Sequence, residues 1–403
     1  MDTVHPTRTG TNAPNNSAPL TRSPGCTNQI PWFCWATILG GLCLTVGILW
    51  DISWHSTIGR DTFFTPAHIA VYLGGSLGGI VCGWLVLQAT LLQRGAYRER
   101  TVSVLGFRGP IGAWVVIWGA SAMLVSAPFD DWWHNAYGLD VRILSPPHVL
   151  LALGMYHVVL GASMMAWSWM NNLSDTDRSR FSWFLTAAGG IQLTLASMLI
   201  LEISVPNRQH SPTFVFASAL LFPGILASAA RNSYTKWPAT QVALAYFLLF
   251  ELMGLVLPLF PAEPKLAPIL TRVTHMVPPM FPLLLFVPAI GMDWVYSRCG
   301  RGGGWKRDIA VAALCGIAFI TLYIPTQWYA SKFLLSPLAD NTFFHGHGRY
   351  FGYRASPGNF RFEFWNRREP PIQFQTWVWG TTLAAASSWI GISIGNFLAR
   401  IRR

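Results

Sequence analysis

Two stretches of the chain carry the same order of carboxylates and imidazoles. The first, "DISWHSTIGRDTFFTPAH", runs from Asp51 to His68, and the second, "DDWWHNAYGLDVRILSPPH", from Asp130 to His148. They share D-x-x-W-H-x-x-x-G-x-D. Asp51 matches Asp130, Trp54 matches Trp133, His55 matches His134, Gly59 matches Gly138 and Asp61 matches Asp140, all at an offset of 79 residues. His68 matches His148 after a one-residue insertion. One carboxylate with two imidazoles forms a three-ligand set with open positions. That set suits a first-row transition metal such as copper, iron or zinc.

The spacing implies how each set is brought together. Asp51 and His55, four residues apart, share one face of a helix, as do Asp130 and His134. The glycine that follows permits a turn. Thr65-Pro66 and Ser145-Pro146 each read as an N-cap followed by proline at the first helical position, which puts His68 and His148 in the first turn of a returning helix. Ligand atoms of one set are expected within about 5 Å of one another, as bonds near 2.0–2.2 Å to one centre require. The two sets should be neighbours at one membrane depth, and Asp131 should point elsewhere. Asp61 and Asp140 are weaker candidates: acceptors orienting a ligand imidazole from outside the first sphere, or, for Asp61, a structural partner of Arg60. The alternative reading of the whole motif is an interfacial band, with Trp54 and Trp133 in an aromatic belt. Its repetition in order and spacing argues against that.

The elements that must position these residues are apolar helices. The 403-residue chain is 52% hydrophobic and only 11% charged, against about 25% charged in soluble domains. Apolar runs near the ~20 residues needed to cross a bilayer recur along its length. An all-α polytopic membrane bundle is expected, with ten spans at roughly 31–52, 68–93, 108–128, 146–170, 181–204, 212–230, 238–260, 276–297, 308–330 and 374–398. The eighth holds four prolines and should be kinked. Residues 1–30 read as a polar, disordered tail without a signal peptide's apolar core, residues 31–170 as the four-helix motif region, and 171–403 as a further six-span region with an outer loop at 331–373. The formal charge of +11 is scattered over short loops and is no nucleic-acid signal. Lys and Arg are denser on the side holding both termini, including Arg94, Arg98, Arg100, Arg298, Arg301, Lys306 and Arg307. Both termini are therefore expected inside, in the inner (plasma) membrane with the motifs toward the outer, periplasmic side. Eight of the ten histidines then fall at the outer side: His55, His68, His134, His148, His210, His275, His345 and His347.

The segment "DISWHSTIGRDTFFTPAHI" closely resembles the metal-site segment in the C subunit of copper membrane monooxygenases, the particulate methane and ammonia monooxygenases. The shared features are the D-x-x-x-H pair, the R-D-T-x-F-T-P-x-H run and the thirteen-residue step from His55 to His68. The resemblance implies a copper site of Asp51, His55 and His68. It also implies a second site, built in that family from Asn, His and His. His134 and His148 match its histidines, while Asp130 stands where the family has asparagine and adds a negative charge. Further monooxygenase subunits as partners, and oxidation of a small apolar or amine substrate with O2, are what the resemblance implies for function. It covers residues 51–69 closely and 30–170 loosely. The six spans beyond 170 exceed it, and no cupredoxin-like domain is present.

Other residues drew secondary readings. Glu202 with His210 could be a decayed third copy. Glu251 lies inside an apolar span, where an ionisable group is costly and often functional. His275 reads as a cap, and His345 with His347 as a peripheral pair in a Gly-rich loop. The six cysteines show no CxxC pair and read as small buried hydrophobes. A copper-dependent membrane oxygenase, or its metal-bearing subunit, is the leading reading. A transporter or metal-handling permease using the same Asp/His sets is the alternative, and an integral b-type cytochrome ranks last because it leaves the aspartates idle.

Overall fold

The computed structural model describes residues 29–59, 61–92, 101–138, 145–232, 234–265, 269, 273–346, 363–365 and 369–401. The expected tail up to residue 28, Arg94, Arg98, Arg100, Asp140 and His347 lie outside the described residues. Ten α-helices occur among them: α1 (Trp32–Thr57), α2 (Pro66–Leu91), α3 (Ile111–Tyr137), α4 (Pro146–Met170), α5 (Asp175–Met198), α6 (Pro212–Asn232), α7 (Pro238–Val256), α8 (Phe286–Cys299), α9 (Trp305–Leu334) and α10 (Phe374–Leu398). The protein is an all-α membrane bundle. Seven of these helices (α1 to α4, α6, α7 and α9) are long and apolar enough to cross a bilayer.

Three of the ten expected spans, at α5, α8 and α10, are not confirmed on that measure. α5 opens with "DTDRSR", and α8 has only 14 residues. At 1.5 Å per residue, α8 is about 21 Å long, short of a hydrocarbon core of about 30 Å. The expected kinked span 276–297 is instead an irregular segment, 276–284, followed by α8. Pro278, Pro279 and Pro282 supply no N–H to a helical ladder, so the chain stays non-helical there rather than bending. Between α2 and α3 a short antiparallel hairpin pairs β1 (Val102–Val104) with β2 (Phe107–Gly109). Its two turn residues, Leu105 and Gly106, have φ of 50° and 85°, as the tight turns favoured in hairpins require.

Small residues set the helix pairing. A Cβ on Gly74 would sit 2.6 Å from the Gly40 carbonyl oxygen, and one on Gly119 would sit 2.6 Å from that of Gly154. The α1/α2 and α3/α4 backbones thus touch directly, as at small-residue interfaces in membranes. Gly40 and Gly119 are 79 residues apart, and Gly74 and Gly154 are 80 apart. Those are the offsets of the duplicated motif before and after its insertion. The repeat is therefore a whole packed hairpin.

Two main apolar cores result, beside two small clusters around Trp167 and Trp169. One gathers α1 to α5 around Leu44, Val116, Val158 and Phe184; the other gathers the C-terminal helices around Phe222, Tyr246, Phe319 and Tyr323. The second reaches the motif. Ser53 donates to the Val277 carbonyl (2.5 Å), and the Val277 N–H donates to Thr57 Oγ1 (2.7 Å). The irregular segment therefore grips the end of α1 on the side away from Asp51 and His55.

Candidate metal centre

The first cluster is built where α1 ends and α2 begins. Asp51 and His55 lie one turn apart near the end of α1, and Gly59 leaves the helix with φ of 81°. Pro66 begins α2 and places His68 in its first turn, as the sequence implies. Thr65 stands at the N-cap but does not cap by side chain; its hydroxyl accepts from the Thr62 N–H at 2.8 Å and tightens the link instead. Asp51 Oδ1 lies 3.0 Å from His68 Nε2, and Asp51 Oδ2 lies 3.7 Å from His55 Nε2. His68 Nδ1 donates to the Thr62 carbonyl at 2.9 Å. A carbonyl only accepts, so this bond leaves the His68 Nε2 lone pair for a metal.

The second cluster repeats the carboxylate–imidazole contacts of the first. Asp130 Oδ1 faces His148 Nε2 at 3.3 Å, and Asp130 Oδ2 faces His134 Nε2 at 3.4 Å. Gly138 ends α3 with φ of 87°, and its carbonyl lies 3.3 Å from His134 Nδ1, so the backbone again leaves Nε2 as the ligating nitrogen. Ser145 caps α4 by accepting from the His148 N–H at 3.5 Å. Asp131 points away and accepts from Asn135 Nδ2 at 3.2 Å.

Both sets fit a metal ion. In each, one atom per residue lies within 4.8 Å of the others. Bonds of 2.0–2.2 Å at tetrahedral angles put ligand atoms roughly 3.3–3.6 Å apart, and the separations above bracket that range. Apart from the imidazole each faces, Asp51 Oδ1 and Asp130 Oδ1 are buried with no hydrogen-bond partner among the described residues. They are equivalent atoms of the two copies, and a cation at the common point would satisfy each.

Asp61 departs from the sequence reading. An aspartate outside the first sphere would hold a histidine's far nitrogen. Instead, Asp61 Oδ2 lies 3.4 Å from His55 Nε2 and 3.5 Å from His68 Nε2, the nitrogens that face Asp51. The hydrogen bond from His55 holds the Asp61 carboxyl below its ordinary range, against the opposing effect of burial. The first cluster thus converges two carboxylates on two imidazoles. Arg60, its suggested partner, lies outside the described residues.

α2, which carries His68 and Tyr72, packs against both α1 and α3, so the hairpins that carry the two clusters are neighbours in the bundle. Tyr72 was not singled out in the sequence, although it lies one turn beyond His68 and its ring packs on Phe63 at 5.0 Å.

The remaining candidates do not join these clusters. Among the described residues no third group of three forms. Glu202 is exposed in a short 3-10 turn, and His210 is fully buried against Phe364, Trp365 and Trp328. His275 contacts Thr274 Oγ1 at 3.0 Å. His345 is not peripheral: it is buried in the bundle against Glu251. A cavity of about 370 Å³ between α4, α5, α6, α7 and α10 is lined by Tyr156, Gln192, Ser387 and apolar neighbours, and by none of the six ligand candidates.

No protein-family model matches the chain, and no curated protein or solved structure shows significant similarity to it.

Proposed function

We propose that the chain is a copper-binding membrane oxidoreductase, a monooxygenase or its metal-bearing subunit. One site is formed by Asp51, His55 and His68 with Asp61, the other by Asp130, His134 and His148. The observation that carries this reading is the repeated geometry: in both copies one carboxylate oxygen faces Nε2 of the returning helix's histidine and the other faces Nε2 of the histidine four residues on. An interfacial band of polar side chains has no reason to repeat at that level. The resemblance of the first segment to the copper membrane monooxygenases favours copper and O2 chemistry over other metals.

Copper held there would supply one-electron redox chemistry and a place for O2 to be activated. The chain's own contribution is positional. Thr62 and Gly138 fix ring tautomers, Gly59 and Gly138 turn the chain so that two helix ends converge, and the 276–279 segment braces α1 behind its ligands. The transport reading is weaker on position. A transporter places its ligands near the middle of broken helices, whereas these sit at helix ends in a partly exposed setting, with the His55 side chain 48% exposed. In this reading α5, α8 and α10 complete ten membrane-associated helices, both termini are inside, and the clusters face the outer, periplasmic side, where partner subunits could meet them.

Metal analysis of the purified protein, with electron paramagnetic resonance, tests the reading. Two coppers per chain with nitrogen coupling are expected. A preparation that stays metal-free after loading with copper would overturn it, and a haem Soret band would replace it with the cytochrome reading.

A further inference from the structure

Glu251 lies in the apolar helix α7, between Phe250 and Leu252, and is buried. Its Oε2 is 3.2 Å from Nε2 of His345, which comes from the segment beyond α9 and is also buried. That segment reaches into the bundle through a notch: a Cβ on Gly254 would overlap the His345 ring. His345 adopts φ of 55° to enter it, a conformation non-glycine residues rarely take. Phe281 packs against the imidazole at 5.6 Å, and Phe344 and Phe247 close round Phe281.

The contacts determine a proton count. His345 Nδ1 is 2.8 Å from the Pro279 carbonyl oxygen, which can only accept, so Nδ1 carries a hydrogen. Among the described residues neither Glu251 oxygen nor His345 Nε2 has another hydrogen-bond partner. With neutral histidine and ionised glutamate, two acceptors would face each other in an apolar setting, which is unfavourable. One proton must therefore lie between Nε2 and Oε2, and the pair is net neutral whichever group formally carries it.

We propose that Glu251 and His345 form a buried proton-binding site whose single shared proton holds the segment around 335–346 in the Gly254 notch. The site is independent of the metal clusters. Loss of the proton leaves an unpaired buried carboxylate and releases the segment. The docked state therefore binds more protons than the released one, and docking weakens as pH rises. The other titratable groups on the neighbouring elements are Tyr246 on α7, Asp340 on the segment itself and Lys332 near the end of α9, while Asp51 and His55 lie on the opposite face of α1 from the segment that carries Pro279. Among the described residues no hydrogen bond or ion pair links any of them to the pair. Tyr246 is taken up by the Leu283 N–H at 3.0 Å.

The test is limited chymotrypsin cleavage around Phe343 and Phe344 in the full chain in lipid nanodiscs across a pH series. Rates are expressed as the ratio of the natural chain to Glu251→Gln, which cancels the protease's own pH dependence. Glutamine donates to His345 Nε2 without titrating, so this variant should stay docked throughout. The expected ratio is near one at the acid end and rises by about tenfold per pH unit once the proton is lost. His345→Ala should be cleaved rapidly at every pH. A flat ratio, or a His345→Ala chain as protected as the natural one, overturns the proposal. If Glu251→Gln does not insert, His345→Gln gives the same non-titrating comparison.

Discussion

Asp61 Oδ2 lies 3.4 Å from the Nε2 atom of His55, the nitrogen that also faces Asp51. One N–H cannot serve two carboxylates on the same side equally well, but one cation can. Asp61 is therefore expected to act as a fourth ligand of the first site. Asp61→Asn should then weaken metal binding there as severely as His68→Ala does, read by equilibrium dialysis against copper. A loss no greater than the 10–100-fold typical of groups outside the coordination sphere would return Asp61 to that role.

Asp61 also separates the causes of acid release. Its folded pKa lies below the ordinary 3.8, because His55 hydrogen-bonds to the ionised form. The stabilisation from that contact is fully present above 3.8 and is lost as pH falls through the depressed value. Between about pH 5 and 8 Asp61 stays charged, so metal release in that window comes from protonation of the ligand histidines. Because the Asp61 carboxylate beside His55 also favours that ring's protonated form, Asp61→Asn should lower affinity most at the alkaline end of that window and by a smaller factor toward its acid end. A defect confined to its acid end, seen in copper titrations at fixed ionic strength, would contradict this.

The clusters were legible in the sequence because their determinants are local. A four-residue step fixes a helix face, a glycine fixes the turn, and Ser-Pro or Thr-Pro fixes the start of the return, so Asp51/His55/His68 and Asp130/His134/His148 could be assembled from spacing alone. The place of Asp61 is not legible there, because the path of the link, set by Thr62 bonding to Thr65 and His68, decides which imidazole nitrogen it meets. The Gly40/Gly74 and Gly119/Gly154 pairs carried a readable signal, since they recur at the motif's own offsets. His345 could not be read: its notch at Gly254 lies 91 positions away, and nothing local points to it. The proline-rich start of the eighth span was read as a kink, although three prolines in five residues remove too many donors for a helix to persist.

Those glycine contacts give a site-selective prediction. A methyl group at Gly74 would press on the Gly40 and Leu44 atoms within 3 Å, and one at Gly154 on Met123 and the Gly119 carbonyl. Gly74→Ala should destabilise the protein by about 1–3 kcal/mol and deplete metal from the first site while sparing the second. Gly154→Ala should do the reverse. Thermal unfolding and site-resolved metal spectra measure both effects; equal depletion of both sites by either variant would show that the hairpins do not act as separate units.

Asp130 permits the sharpest test of charge at the second site. Its Oδ1 and Oδ2 face the two ligand imidazoles at 3.3 and 3.4 Å, where the resembling family carries a neutral asparagine. Asparagine retains the shape and one coordinating oxygen, so Asp130→Asn should keep most of the metal. The anionic carboxylate favours the more highly charged metal ion. With an effective dielectric of 20 to 80 and a separation near 4 Å, a unit charge contributes roughly 1–4 kcal/mol. Removing it should make the metal easier to reduce by an amount in that range, while the first site keeps its potential. Redox titration of the copper resonance signals reads both sites at once. An unchanged potential at the second site, with metal still bound, would mean that Asp130 does not contact the metal.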